Sequence, residues 1–168
     1  MAIDTKLVQL FHDNYDEMHR SASRLISSYH RVSQLMPLNE STFNTLDDDF
    51  LERLDAFRVR FTDVQDCLGQ KLFRSILAIE EEQPGTGLDV VNKMLKREII
   101  PSYETWQQLR NLRNFFTHDY PNSDNIRMES LNLAFTLIPE LIVIANNLAD
   151  YVKTKLNIDL SAFTELSV

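Results

Sequence analysis

Apolar residues recur every three or four positions over most of the chain, the spacing that places them on one face of an α-helix. The first such stripe predicts a helix over residues 4–35, with Asp4 as its N-cap. The second predicts a helix over 47–81 that begins in consecutive aspartates, whose negative charge favours a helix N-terminus. Gly69 interrupts this second stripe and indicates a close contact with another helix.

Clusters of proline, glycine and small polar residues break the pattern at residues 36–44, 83–87 and 121–125. Between and after these breaks the pattern predicts a short helix, a helix with Ser102 as its N-cap, and a final long helix that contains Pro139. Their predicted ranges are 88–98, 102–118 and 124–156.

About five helices with short connections predict an all-α antiparallel bundle. With 168 residues and no evident internal boundary, we expect one domain over residues 1–168. Only 3 glycines and 5 prolines are present, which leaves little material for the tight turns of a sandwich or a barrel. The tail, residues 157–168, is predicted to form one more turn or to dock on a partner.

The composition is that of a protein of a reducing compartment, and we expect a cytoplasmic location. The single cysteine, Cys67, has no partner for an internal disulfide, and the N-terminal segment mixes acids into every turn, unlike a signal peptide. Residues 131–149 are apolar and long enough to span a bilayer. Because Pro139 and Glu140 interrupt this stretch, we expect a buried core helix and no membrane segment.

The net charge of -8 argues against sequence-independent adsorption to nucleic acid. The net charge does not exclude a local basic site, because six cationic residues fall within one stretch of the chain. This cluster is either a local RNA-binding patch or an ordinary solvated face: Lys93, Lys96, Arg97, Arg110, Arg113 and Arg127.

The chemistry-bearing stretch reads WQQLRNLRNFFTHDYP, residues 106–121. We call the predicted helix over 102–118 the motif helix. At about 100° per residue, its apolar side chains form one stripe, with Arg113 at the stripe's edge. Arg110, Asn114 and His118 follow one another along the adjoining polar flank. The predicted stripe consists of Trp106, Leu109, Leu112 and Phe116.

Two interpretations of Arg113 and His118 stay open at this point. Burial of Arg113 without a partner is costly, so it is either half of a salt bridge, with Asp63 or Asp66 as supporting partner, or a phosphate ligand. His118 is either a helix C-terminal cap or a group that moves protons near neutral pH. An arginine and a histidine together suffice for metal-independent cleavage of RNA by its own 2′-hydroxyl.

Arg113 and His118 would lie about 140° apart on an unbroken helix, too far around the surface for one site. Two arrangements bring them together. The helix opens at Thr117 and His118, which swings the imidazole toward the arginine, or two motif helices face each other across a dimer.

The residues from Arg113 to Tyr120 resemble the R-x4–6-H motif of HEPN domains. The similarity is greatest to the R-N-x-x-x-H-x-Y form in HEPN toxins that are paired with minimal nucleotidyltransferase antitoxins. The resemblance extends over about residues 50–151, and the long first helix departs from the shorter toxins.

The resemblance implies a bundle that forms a homodimer with facing motif helices and cleaves RNA without a metal or other cofactor. It makes Arg113 and His118 catalytic, with Asn114 as a positioning group, and Arg110 remains an auxiliary phosphate contact. Tyr120 would match the tyrosine that the antitoxin modifies with AMP. The alternative is a catalytically inactive HEPN-like module that binds a nucleotide or a partner protein.

A metal site is not expected. His12 and His19 share a face of the first predicted helix at a spacing of seven residues. This is not the i, i+4 pair of a helical zinc site, and no third ligand is evident.

Overall fold

The computed structural model describes residues 3–118 and 123–168. The described residues contain no β-strand and form six helices. One short helix was not predicted, and the second predicted helix contains a π turn that was not predicted either. The helical segments are α1 (Thr5–Val32), α2 (Glu40–Phe43), α3 (Asp48–Asp66), α4 (Phe73–Ile79), α5 (Gly87–Lys96), α6 (Tyr103–Thr117) and α7 (Asp124–Lys155). A π-helical turn, Cys67–Leu72, joins α3 to α4 without a break, so these two segments form one helix.

Helix starts follow the local sequence closely. The carboxylate of Asp4 accepts the backbone N–H of Lys6 at 2.8 Å, and Asp47 accepts that of Phe50 at 2.9 Å. The hydroxyl of Ser102 accepts the N–H of Thr105 at 3.3 Å. Such caps satisfy backbone donors that have no partner inside the helix, and they confirm the predicted N-caps Asp4 and Ser102.

The extra helix, α2, lies inside the predicted break at residues 36–44. A reciprocal cap produces it, because Asn39 accepts the N–H of Thr42 at 2.9 Å while the Thr42 hydroxyl accepts the N–H of Asn39 at 3.1 Å. Four residues are too few for a periodic apolar stripe, so the pattern of the chain gave no sign of this helix.

The helices pack around one apolar core. α1 lies along α3, the π turn and α4, while α6 packs between α3 and α7, and α5 bridges α4 and α6. The apolar positions of α1 mostly face this core, as predicted, but Leu10 is 51% exposed. The apolar spacing of the first predicted helix includes Leu10, and its predicted burial is wrong, because Leu10 lies on the solvent side of α1.

The π turn brings the long central helix against the motif helix. A Cβ atom at Gly69 would lie 3.1 Å from Cζ2 and 3.5 Å from Cη2 of Trp106. The indole is 3% exposed and also packs on Phe73, with ring centroids 5.0 Å apart. The close helix contact predicted at Gly69 is thus confirmed, whereas the π turn around it was not predicted.

Gly69→Ala is expected to lower the free energy of unfolding by about 1 kcal/mol. Overpacking a tight contact costs about 1–3 kcal/mol, and the better helix propensity of alanine offsets about 0.5–1 kcal/mol of it. Gly87→Ala is the matched control, because a Cβ at Gly87 meets no atom within 4 Å. Urea unfolding of both variants measures the difference. Equal stability of Gly69→Ala and wild type would show that the indole moves aside freely.

The final helix, α7, is long and apolar enough to cross a membrane by length and composition alone. In the structure its buried residues recur from Leu131 to Val152, and the helix contacts α6, α3 and α1. A core helix of a helical protein shows this same pattern of one-sided burial.

The tail, residues 157–168, docks on its own chain. Ile158, Leu160 and Leu166 are each 5–6% exposed. Asn146 donates from Nδ2 to the Leu166 carbonyl at 2.9 Å, and Nε2 of His19 lies 2.8 Å from the Thr164 carbonyl. The tail therefore ties α7 to α1 rather than remaining free for a partner.

Candidate active site

The buried stripe of the motif helix is the one predicted. Trp106, Leu109, Leu112 and Phe116 are the buried residues of α6. Phe116 meets Phe61 of α3 edge to face, with ring centroids 5.6 Å apart. This stripe fixes the rotation of α6 and so places Arg113 at the seam between α6 and α3.

Arg113 forms a two-pronged ion pair with Asp66 of α3. Its Nε lies 2.6 Å from Oδ1 and its Nη2 lies 3.0 Å from Oδ2. The two side chains are 18% and 30% exposed. The hydrogen bond to Asp66 raises the pKa of Arg113, while partial burial opposes that rise. Gln70 also donates to Oδ1 of Asp66, at 3.2 Å.

Of the two supporting carboxylates predicted, the structure pairs Arg113 with Asp66. Asp63 is exposed, and none of the ion pairs among the described residues joins it to Arg113. The two aspartates are three positions apart, so their side chains point about 60° apart around the axis of α3.

The motif helix ends where His118 begins. Thr117 is its last residue, and His118 follows with φ -115° and ψ -36°, donating its N–H to the Asn114 carbonyl at 2.9 Å. Arg58 donates from Nη1 to the Phe116 carbonyl at 2.7 Å and so satisfies another carbonyl of the last turn.

This helix end brings the two motif residues together within one chain. Nε2 of His118 lies 3.4 Å from Nη1 of Arg113, and the same Nη1 lies 3.3 Å from Oδ1 of Asn114. The structure shows the first predicted arrangement, the opening of the helix at Thr117 and His118; the second, a dimer with facing motif helices, stays a prediction. His118 also occupies the C-cap position of α6, so the capping interpretation and the proton-transfer interpretation apply to the same residue.

The contact sets the roles of the two groups. A guanidinium only donates hydrogen bonds, so Nε2 of His118 is the acceptor when it bonds to Nη1. When a ligand displaces Nη1 from this contact, the Nε2 lone pair can take a proton from the ligand, and the adjacent guanidinium can donate to an anion. Nη1 is the nitrogen of Arg113 that contacts His118, because Nε and Nη2 donate to Asp66.

A surface cleft of about 220 Å³ opens beside this pair, between α6, the π turn and α5. Arg113 and Asn114 form one wall, and Arg110 lines the cleft as well. Arg110, predicted as an auxiliary phosphate contact, and Asn114, predicted as a positioning group, therefore both line this cleft.

Three polar residues of the cleft were not predicted from the sequence: Gln65, Gln70 and Arg74. The spacing of Gln70, four residues after Asp66, would have placed it on the same helix face as Asp66, whereas the π turn interrupts that spacing before Arg74. That argument also requires knowing which face meets the motif helix, and only the packing of the helices supplies it.

The predicted cluster of six cations does not form one basic patch. Arg97 contacts Glu80 at 2.8 Å and also pairs with Glu82, and Tyr151 donates to Glu80. Arg127 pairs with Asp124 of its own helix at 3.6 Å. Arg97 and Arg127 thus serve structure away from the cleft, while Arg110 and Arg113 line it.

Acid is expected to remove the stabilising contribution of Glu82. The hydrogen bond from Arg97, together with the nearby charge of Lys93, lowers the pKa of Glu82 below its ordinary 4.5. A carboxylate with a lowered folded-state pKa stabilises fully above its unfolded pKa and loses that effect as pH falls through the folded value.

Glu82→Gln should therefore have a lower Tm than wild type at pH 7, and the gap should narrow as pH falls below about 4. Thermal unfolding followed by circular dichroism at several pH values measures it. A gap that is the same at every pH would mean that the charge of Glu82 does not contribute.

The remaining sequence predictions concern residues away from this geometry. Tyr120 lies outside the described residues. Within the described ranges, no group of three or more His, Cys, Asp or Glu side chains is placed to hold a metal ion. Cys67 is buried in the π turn, and burial raises the pKa of its thiol to about 11. A thiol with such a pKa is a poor nucleophile near neutral pH.

Comparison with known proteins gives no relative: no family model matches the chain, and no curated protein or solved structure matches it.

Proposed function

We propose that this chain is a HEPN-like endoribonuclease that cleaves RNA through the RNA's own 2′-hydroxyl, without a metal. The observation that carries the proposal is the contact between Nη1 of Arg113 and Nε2 of His118, which lie 3.4 Å apart. Arg113 also lines the cleft. A cation beside a proton acceptor is the pairing that this reaction requires.

The proposed reaction is an internal transfer. His118 takes the proton of a 2′-hydroxyl, the 2′-oxygen forms a bond to the adjacent phosphorus, and the bond from phosphorus to the 5′-oxygen breaks. The 5′-oxygen takes a proton as it leaves. The products are a 2′,3′-cyclic phosphate and a 5′-hydroxyl end. Arg113 neutralises charge that develops on the phosphate oxygens, an interaction that is strongest when the donor is held in place. Asp66 provides that restraint.

A homodimer is part of the proposal. One chain supplies a single histidine at the site, whereas the reaction uses a base for the 2′-hydroxyl and an acid for the leaving oxygen. Two antiparallel bundles with facing motif helices would supply both. The exposed position of His118 at the end of α6 leaves it accessible to a second copy.

The proposed regulator is a minimal nucleotidyltransferase antitoxin that attaches AMP to Tyr120, two residues beyond His118. An adenylate there would add bulk and negative charge two positions along the chain from His118, and both oppose binding of RNA. A toxin of this kind would act in the cytoplasm.

One observation favours a second candidate, an inactive HEPN-like module that binds a nucleotide or a partner protein. Arg113 gives two of its N–H groups to Asp66, which is what a purely structural arginine does. Activity, rather than binding, separates the two candidates.

The test is cleavage of a labelled, structured RNA by the purified full-length chain in the presence of EDTA. The matched control is the same RNA with 2′-deoxyribose at the mapped cleavage position, which lacks the internal nucleophile. We expect products with cyclic phosphate ends from the first RNA and no cut at that position in the second. Intact RNA after prolonged incubation, or equal cutting of both substrates, would refute the proposal.

A further inference from the structure

The ion pair of Arg113 with Asp66 leaves little positive charge at this point to attract an RNA backbone. Asp66 neutralises Arg113 through two hydrogen bonds, so the pair together carries no net charge. An RNA backbone that approaches His118 therefore needs other cations to hold its phosphates, because phosphate contacts supply most of the sequence-independent affinity for nucleic acid.

Two such cations line the cleft. Arg74 projects from α4 and Arg110 from α6, and both are exposed. Neither side chain has an ion pair or a hydrogen bond with any residue in the part of the chain that the structure describes. In a chain of net charge -8, the two side chains concentrate positive charge that no carboxylate pairs with on one cleft.

The size and lining of the cleft indicate which class of ligand it binds. Its volume of about 220 Å³ lies below the roughly 300–1,000 Å³ typical of sites for complete small molecules. Trp106 and Phe73 contribute to the lining but are 3% and 0% exposed, so no aromatic face is open for a base to stack on. The rest of the lining holds arginine and amide side chains, which recognise phosphate and sugar. It also holds two valines and Asp66, whose negative charge is paired with Arg113.

The N-terminus of α5 adds little positive potential of its own. Gly87 begins this helix and lines the cleft, but the carboxylate of Asp89 already accepts the Thr86 N–H at 2.8 Å. The arginines therefore carry the attraction for an anion.

We infer that this cleft is a subsite for a backbone phosphate of single-stranded RNA, next to the scissile phosphate at Arg113 and His118. Arg74 and Arg110 hold the phosphate, and Gln70 and Asn114 lie where they can contact the adjoining sugar. The subsite fixes the position of the strand but reads no base. This inference rests on the proposed function, because it places the RNA by the proposed catalytic pair.

The first experiment measures binding without cleavage. The probe is a fluorescein-labelled 2′-O-methyl RNA hexamer, whose blocked 2′-oxygens prevent the proposed reaction. Arg74→Ala is expected to weaken binding about 5–10-fold at low salt and to reduce the slope of log K against log salt by about 0.7, the loss of one single-strand phosphate contact. Arg20→Ala is the matched control, because Arg20 is exposed and pairs with Asp16 on α1, away from the cleft.

A second pair of variants adds a side chain to the cleft and leaves the arginines unchanged. A Cβ at Gly87 meets no atom within 4 Å, and a carboxylate is favourable at the first turn of a helix. Gly87→Glu should therefore fold normally and weaken hexamer binding at least 10-fold, while Gly87→Gln, similar in bulk but neutral, should have a much smaller effect.

The outcomes separate this inference from the proposed function. Equal weakening by Arg74→Ala and Arg20→Ala, or binding unaffected by Gly87→Glu, would overturn the subsite. So would displacement of the hexamer by low concentrations of AMP, which would assign the cleft to a free nucleotide. Cleft-dependent binding by a chain that never cleaves unmodified RNA would sustain the subsite while refuting the nuclease proposal.

Discussion

Replacing His118 with alanine is expected to lower the rate of RNA cleavage by about 10²–10⁴-fold, the usual contribution of a positioned proton-transfer group. The same change should alter the free energy of unfolding by less than about 0.5 kcal/mol, because His118 is exposed at the end of α6 and substitutions at such positions are mostly mild. Loss of activity without loss of stability is the signature expected of a catalytic residue.

His30→Ala is the control for His118→Ala. His30 is also exposed and lies on α1, away from the cleft, and its removal should leave the cleavage rate unchanged. Initial rates with EDTA and urea unfolding curves on the same preparations give both quantities. Cleavage by His118→Ala at the wild-type rate would remove this histidine from the mechanism, even if the chain proved to be a nuclease.

Arg113→Ala is expected to affect both activity and stability. Cleavage should fall about 10²–10³-fold, as when one fixed electrostatic donor is removed from a reaction site. The free energy of unfolding should fall by about 1–2 kcal/mol, since Asp66 loses its partner while it remains 30% exposed and water partly compensates for the loss.

Asp66→Asn separates the two effects of Arg113→Ala. It removes the ion pair but keeps the guanidinium, so its stability loss should resemble that of Arg113→Ala while its loss of cleavage should be smaller. Arg113→Lys adds a charge control, because lysine lacks the planar fork that binds a carboxylate at two points. Identical activity losses in Arg113→Ala and Asp66→Asn would mean that Arg113 acts only through the ion pair.

Much of the fold could be predicted from the sequence because helices depend on local spacing. The stripe from Trp106 to Phe116 specified the buried face of α6, and Asp4 and Ser102 specified two helix starts. The candidate partners of Arg113 were narrowed to two aspartates on α3 by the cost of burying an unpaired charge. Periodicity and helix capping depend on a single segment and could be predicted, whereas charge balance only limited the partner of Arg113 to two candidates.

The remaining features depend on contacts between segments. The docking of the tail follows from its fit to α1 and α7, and Arg74 joins the cleft only through the packing of α4 beside α6. The meeting of Arg113 and His118 depends on which residue ends α6. Helix ends vary by one or two residues for small reasons, so the sequence left two arrangements open. The structure shows the helix ending at Thr117, while facing motif helices across a dimer stay a prediction.

The π turn rotates the second half of the central helix about its axis relative to the first half. A π turn inserts about one residue into the α-helical repeat, which rotates everything after it by roughly 100° relative to an uninterrupted helix. Residues on both sides of the turn pack on α1, and residues after it present Phe73 to the indole of Trp106 and Arg74 to the cleft. One continuous helix thereby changes the register of its faces partway along its length, without a loop.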